Sequence, residues 1–588
     1  MGASTAVGLA GCAPSEASEK EAAPSSVLDA ESYANAQWDF MVPPEPVADS
    51  DITEERTCDI LIVGAGVAGL CLACRAAELS QGKDEIVVVA ASSKHVERGG
   101  SFHGIGTKVQ EEYGIEYDLG NLGAKVKTEC IAGGYQFDMR KWARWFQNSK
   151  ESMDWLIDKM RSYEGVRISL EMPFKDAEGI LDLPAGAHNF LMDDEKQTKE
   201  NGGIFSITTM KGAMDGVVLV NDVYEHEFVN IHGGRIDYST KAEYLLRGDD
   251  NTGRVSGLIA SDPDGRFVKY SASKAVVLAT GDFSADESMM RKYCARMVDA
   301  QMLTFQNVNY DNCSVMGGLM PGDGQKMGLW IGAAWQKNEQ CAPNVCALGN
   351  GPQSRGNGSP STIILNKDGN RFMNEDTTFS YYTYGVMNQK DQTAFEIWDA
   401  AYANHYDVWN GYGVSLPLPD GGYSMEFLHK TPQEALASWD EGAENGSYLK
   451  ADTLEDLLSQ LEKEGLDSTQ ASKTIAAYNG YCEAGFDSEY LKDPSELATV
   501  KDGPFYAYKL TVGPACFLTV HGGLRTDEHM RVCEADDSPI EGLYNIGVMT
   551  GDMFSNIYTF SVAGQSLGAT CTTFPYLLAN ELVNGADA

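Results

Sequence analysis

The stretch Cys58-Asp59-Ile60-Leu61-Ile62-Val63-Gly64-Ala65-Gly66-Val67-Ala68-Gly69 decides the fold. An apolar run suited to a buried parallel strand ends directly in a glycine-rich turn. Beyond the turn, Leu70 to Leu79 reads as a helix, and Ile86-Val87-Val88-Val89 as the next buried strand. Together they spell a βαβ unit. In that setting Gly64 permits the tight turn, Gly66 lets the backbone approach a diphosphate, and Gly69 lets helix and strand pack closely. The helix N-terminus, with unpaired N–H groups and the positive end of its dipole, faces the phosphates. The expectation is a dinucleotide site. One position departs from the pattern: the second strand should end in an acid that grips the adenosine ribose, and Ala90 stands there, followed by Ala91 and Ser92.

The chain of 588 residues is long enough for more than one domain. With 43% hydrophobic and 22% charged residues it has the balance of a soluble globular protein and is too polar for a multi-span membrane protein. A formal net charge of −40 argues against nucleic acid and anionic lipid surfaces as partners. The 13 cysteines are scattered, without the spacing of a disulfide framework or a zinc site, and no metal is expected. Cys71 and Cys74 have redox-pair spacing, but they fall within the helix and are followed by Arg75, so they read as buried structural thiols and not as a haem attachment site. Leu9-Ala10-Gly11-Cys12 has the form of a bacterial lipoprotein processing site, and Ala13 to Ser50 is rich in Ala, Ser, Glu and Pro, as a tether is. Residues 1–50 are therefore expected to be a signal remnant and flexible tether, with the exported protein anchored to the outer face of the cell membrane through a lipidated Cys12.

Further motifs follow in a fixed order: Gly99-Gly100-Ser101-Phe102-His103-Gly104, Val276 to Phe283 (VVLATGDF), Gly322-Asp323-Gly324-Gln325-Lys326-Met327, Ile364 to Glu375 (ILNKDGNRFMNE), Ile540 to Gly547 (IEGLYNIG) and Gly564-Gln565-Ser566-Leu567-Gly568. From Cys58 to Leu582 this order resembles the soluble fumarate reductase flavoproteins, whose relatives include urocanate reductases and ketosteroid dehydrogenases. The resemblance implies an α/β fold with a Rossmann-like FAD-binding domain in two parts, residues 51–350 and 519–588, and an inserted α+β capping domain, residues 351–518. It implies FAD as cofactor, contacted by Gly64, Gly66, Val67, Ala68, Gly69, Gly99, Gly100, Ser101, Gly104, Ala242, Ala279, Thr280, Gly281, Asp323, Gly547, Ser566 and Leu567. Many relatives hold the ribityl chain with Glu or Asn after the last of those strands, where this chain has Val548.

Fumarate reductases bind their dicarboxylate with arginines and histidines, because a guanidinium matches a carboxylate. Here Thr377-Thr378-Phe379-Ser380 replaces the family's Thr-Thr-Arg-Asp, Asn556-Ile557-Tyr558 replaces its His-Gly-Ala-Asn-Arg, and the histidine of its His-Thr-x-Gly-Gly is displaced to His521. Fumarate is accordingly not the expected substrate. By resemblance to the ketosteroid dehydrogenases, Tyr558 and an amide near Gly564 polarise a substrate carbonyl. The proton donor is expected among Tyr381, Tyr382 and Tyr384, with Tyr382 the nominee; His521 reads equally as catalytic or structural, and Glu375 as a titratable member of a structural motif. The region from Phe379 to Tyr412 is rich in aromatic residues, most of them expected to be core. The expected reaction is hydride transfer from flavin N5 to an activated C=C bond of enone or aryl acrylate type, with electrons from a separate cytochrome. The alternatives are a ketosteroid-type dehydrogenase and a degenerate, non-catalytic binding paralogue.

Overall fold

Strand β1, Ile52–Val63, extends well before its apolar part, exposed through most of its first half and buried toward the glycine turn. It leads into α1, Val67–Ser80, then β2, Ile86–Val89. Helices α2, Met139–Arg161, and α3, Ala213–His226, precede strands β3, Arg235–Asp237, β4, Lys241–Gly248, β5, Thr252–Ser261, and β6, Phe267–Leu278. The computed structural model describes residues 38–116, 119–170, 186–192, 194–208, 213–306, 308–312, 316–345, 363–377, 379–404, 431–559, 562 and 564–585. Cys12 with most of the tether, Tyr406, Trp409 and Tyr412 lie outside these residues.

An 8-stranded sheet runs Arg531–Cys533, Pro539–Asn545, β6, β1, β2, β3, with β5 and β4 added beside the first half of β6. The pairs β1 with β2, β1 with β6, β2 with β3, and β6 with Pro539–Asn545 are parallel. Their register places Val63 opposite both Val89 and Leu278, and Leu278 opposite Asn545. Four strand ends thus meet at one edge, the crevice where open parallel sheets bind ligands. Alternate side chains serve opposite faces. Ile60, Ile62, Val88 and Val277 pack with α1, α3 and the C-terminal helix Phe574–Asn584, while Leu61, Val63, Val87, Val89 and Leu278 pack with β4, β5, Met327 and Leu524. Cys71 and Cys74 are buried in the first of these layers, and burial pushes the Cys71 thiol up to about 12, as suits a structural thiol.

A separate 4-stranded antiparallel sheet joins Ile363–Asn366, Thr393–Asp399, Phe505–Thr511 and Leu449–Ala451. Helices Leu454–Glu462 and Ser468–Ala484 cover one side, and a cluster of Trp398, Tyr402, Trp439, Tyr448 and Tyr506 fills the other. Tyr382, Phe395, Trp398 and Tyr402 are all buried, so these members of the aromatic run are core, as expected. Glu375 is also structural. Arg371 grips its carboxylate through Nε at 2.8 Å and Nη2 at 2.6 Å, reaches Asp487 at 2.8 Å, and Lys492 lies 3.6 Å from Glu375, with all four side chains fully buried. That closed set of charges corrects the inclusion of Glu375 among catalytic candidates. Among the described residues no helix is long and apolar enough to cross a membrane.

Removing one partner of a buried ion pair leaves the other charge uncompensated, at a cost of about 3–5 kcal/mol. Arg371→Met is expected to lower unfolding stability by that amount in urea titrations followed through tryptophan fluorescence, because Trp398 and Trp439 sit in the same lobe.

Candidate functional site

The strand-end edge opens into a cleft with about 1090 Å³ of empty space, solvent mouth included. Two backbone turns form its floor. Gly64 has φ +115°, and a Cβ there would lie 2.3 Å from the Ala279 carbonyl oxygen, so the turns after β1 and β6 touch backbone to backbone. A Cβ on Gly69 would lie 2.0 Å from the Gly64 carbonyl oxygen, which seats the first turn of α1 on the glycine turn. Gly66 caps α1 with no side-chain hydrogen bond, and Val67 and Ala68 line the cleft. The helix therefore presents uncapped N–H groups, the donor set an anionic diphosphate needs. Against this test the residues fit FAD, whose diphosphate would sit on the α1 amides.

Of the residues assigned to the cofactor, Gly64, Gly66, Val67, Ala68, Ala242, Ala279, Thr280, Gly281, Asp323, Gly547 and Leu567 line the cleft. Gly69 acts from behind, through packing. Gly99, Gly100, Ser101 and Ser566 are not among the lining residues; a Cβ on Gly99 would come 2.8 Å from Leu567, and one on Gly564 would come 2.8 Å from the Ser101 carbonyl. Ser101 Oγ is buried and has no hydrogen-bond partner among the described residues. Gly104 packs against α2, its Cβ position lying 2.6 Å from Met153, and is not among the lining residues.

The sequence reading missed Asp282, which stands where the family has glycine. Its buried carboxylate accepts from Ser284 Oγ at 2.8 Å, Ser284 N–H at 3.1 Å and Thr519 Oγ1 at 2.6 Å, stitching the β6 turn to the strand Phe517–His521. The substitution of an acid for glycine was the available signal. Tyr310, which donates to Asp323 at 2.6 Å, and Arg98 also line the cleft, and neither belongs to a motif.

Near the cleft three rings converge. His521 stacks on Tyr558 with centroids 4.5 Å apart and planes 18° from parallel, and Phe554 lies 5.0 Å from each. His521 is placed by pairing of its strand with Ala342–Val345, opposite Ala342. Tyr558 is held by its backbone: its N–H donates to Pro343 at 3.3 Å and its carbonyl accepts from Ser380 Oγ at 2.7 Å. Next to it Thr559 donates to the buried Glu129 at 2.5 Å. His521 Nδ1 lies 3.3 Å from Ser566 Oγ, and Nε2 is buried with no partner among the described residues. Burial pulls the His521 imidazole down to about 3, so the ring is neutral. Burial pushes the Tyr558 phenol above its ordinary range, opposed by a hydrogen bond from the Ser566 backbone, so it too is neutral. Tyr382 lies elsewhere: its hydroxyl donates to the buried Glu396, whose carboxyl burial raises to about 7. That engagement, within a core cluster and off the cleft, corrects its nomination as proton donor.

Two predictions follow from this geometry. Gly64→Ala, strained in φ and clashing with backbone, should yield folded protein without visible flavin absorbance, whereas the wild type is yellow. For stability, His521 at about 3 and His188 at about 4, the latter also depressed by burial, both bind fewer protons folded than unfolded. Their contribution, on the order of 3 kcal/mol each, is present above the unfolded value near 6.5 and is lost as pH falls through that window. The melting temperature should drop between about pH 6.5 and 4, and His521→Gln should flatten that drop.

Comparison with known proteins agrees with the geometry. A model of the FAD binding domain family matches residues 59–561. The vinyl phenol reductase of Lactiplantibacillus plantarum is 24% identical over 549 residues, covering 89% of this chain and 95% of that protein. The urocanate reductase of Eggerthella lenta is 24% identical over 90% of this chain and 75% of that protein. Among solved structures, the 3-ketosteroid-Δ4-(5α)-dehydrogenase of Rhodococcus jostii RHA1 superposes with a TM-score of 0.65 at 21% identity, over 92% of this chain and 100% of that one. A nucleotide cleft built on uncapped α1 amides, carried on this fold and matched over most of its length, identifies the chain as a member of the FAD binding domain family, akin to the fumarate reductase-like flavoproteins.

Proposed function

We propose that this FAD-dependent oxidoreductase of CH–CH bonds works as a reductase, saturating a C=C bond conjugated to a carbonyl, of enone or aryl acrylate type and bulkier than fumarate. The observation that carries this reading is the neutral cluster of His521, Tyr558 and Phe554. A dicarboxylate packed against these three rings would lose its hydration and meet no cation among them, a strongly unfavourable exchange. Arg371, which the family motif supplies, is spent on Glu375 and Asp487. A carbonyl oxygen needs only neutral donors. The Tyr558 oxygen accepts from the Ser566 backbone, which makes its own O–H a better donor, and the stacked His521 ring fixes the phenol plane. FAD, when bound, would supply hydride to the β-carbon, solvent would supply the proton that the α-carbon takes up, and Tyr558 would stabilise the negative charge that gathers on the carbonyl oxygen in between. Relatives named for reduction of vinyl phenols and urocanate support the reductive direction.

The same phenol would serve a dehydrogenase acting on a cyclic ketone, and a relative named 3-oxosteroid 1-dehydrogenase supports keeping that second reading. We further assign the electrons to a separate cytochrome and the protein to the outer face of the cell membrane, held through Cys12; intact-mass analysis of protein from its native host tests the anchor by the presence or absence of acyl chains.

Under anaerobic conditions with reduced viologen, reoxidation of the flavin by an enone or aryl acrylate panel is expected, with fumarate inert. Silence across the panel, combined with turnover of a saturated ketone on an artificial acceptor, would instead establish the dehydrogenase. Tyr558→Phe should retain bound flavin and lower kcat by roughly 100-fold or more, the usual loss for an electrophilic hydrogen-bond donor.

A further inference from the structure

The end of β2 carries Ala90, Ala91 and Ser92, all of which line the cleft, and none offers a carboxylate. The wall beside them nevertheless carries a carboxylate, next to the basic Arg98 and Lys241. After Ser92 the chain folds back over the glycine turn, where the Val96 N–H donates to the Ala65 carbonyl at 3.2 Å and Asn221 Nδ2 donates to the Val96 carbonyl at 3.1 Å. Those two bonds fix the position of the next residue, Glu97, which lines the same cleft and is 8% exposed.

Its carboxylate is held by His95 Nδ1. On the other side of that ring, Nε2 lies 3.1 Å from Asp222 and 3.5 Å from Glu225. Asp222 is itself braced by Ser206, through N–H at 2.7 Å and Oγ at 2.6 Å, and by Lys199 at 2.9 Å. Burial pulls the His95 imidazole down, but hydrogen bonds to Asp222 and Glu97 outweigh it and raise the ring to about 9, so it stands as a cation between acids. Glu97 is thus the cleft end of a braced chain of polar groups and has little freedom to turn away.

Among the described residues, three that line the cleft carry carboxylates: Glu97, Asp282 and Asp323. Asp282 is occupied by Ser284 and Thr519, and Asp323 receives the Tyr310 hydroxyl. Only Glu97 adjoins the end of β2. A carboxylate repels a diphosphate, whereas its two oxygens suit a pair of adjacent hydroxyls. We propose that Glu97, set in place by His95, accepts the hydroxyls of the adenosine ribose of FAD, so that the acid missing at position 90 is supplied from a loop seven residues further along the chain.

The test titrates apoprotein of the full chain with FAD and with an FAD analogue lacking both hydroxyls of the adenosine ribose, followed by flavin fluorescence quenching. Wild-type protein is expected to prefer FAD by tenfold or more, about the worth of one charge-assisted hydrogen bond. Glu97→Gln should bring the two affinities within about threefold of each other. The double variant Ala90→Glu with Glu97→Gln should restore the preference. An equal affinity for both flavins in the wild type overturns the proposal without recourse to any variant, and so does a preference that survives intact in Glu97→Gln. Unfolding of each apoprotein, followed by circular dichroism, separates a lost hydroxyl contact from a lost fold, because a misfolded variant binds neither flavin.

Discussion

Everything at the site depends on the contact between two turns, the one after β1 and the one after β6. With no side chain at Gly64, backbone meets backbone, and two parallel strands can end together closely enough to share one nucleotide. The approach leaves the first α1 amides without a side-chain cap. A helix that begins this way, without a side-chain cap, retains several unsatisfied donors, and a diphosphate is the group that satisfies them while matching the sign of the dipole. The large apolar layers on either face of the sheet keep this arrangement from relaxing, since any shift of β1 would disturb both at once.

The chemistry is set by what is absent as much as by what is present. Family positions that carry cations against a dicarboxylate hold Phe379, Asn556, Ile557 and Tyr558, and the described rings at the site are neutral. Elsewhere the molecule is rich in charge, with acids outnumbering bases to a net of −40. The contrast matters because in a desolvated site a neutral donor works at nearly its full strength. The Tyr558 backbone is held by Pro343 and by the Ser380 hydroxyl, which come from two other segments of the chain.

The βαβ unit was legible from the sequence because its information is local: an apolar run, glycines at set spacing, a helix, and a second apolar run. The two-part main sheet and the inserted antiparallel one followed from the order of motifs. What stayed hidden was the product of long-range contact. Glu97 looks like an ordinary loop acid until the fold-back over Ala65 is seen, and Asp282 gains meaning only when Thr519 arrives from far along the chain. Tyr382 and its neighbours were indistinguishable by sequence, since helical spacing alone cannot say which hydroxyl meets Glu396 and which faces outward. Gly104 belonged to a recognisable glycine motif, yet the closeness of α2 explains it.

The Arg371, Glu375, Asp487 and Lys492 set has an evolutionary corollary. Interlocked ions pin the second lobe's register through direction as well as proximity, so the surrounding rings carry less of the burden of specifying that lobe. Residues relieved of that burden can drift. Exchange of one core ring in that lobe would then cost packing energy while the ion set kept the strands in place.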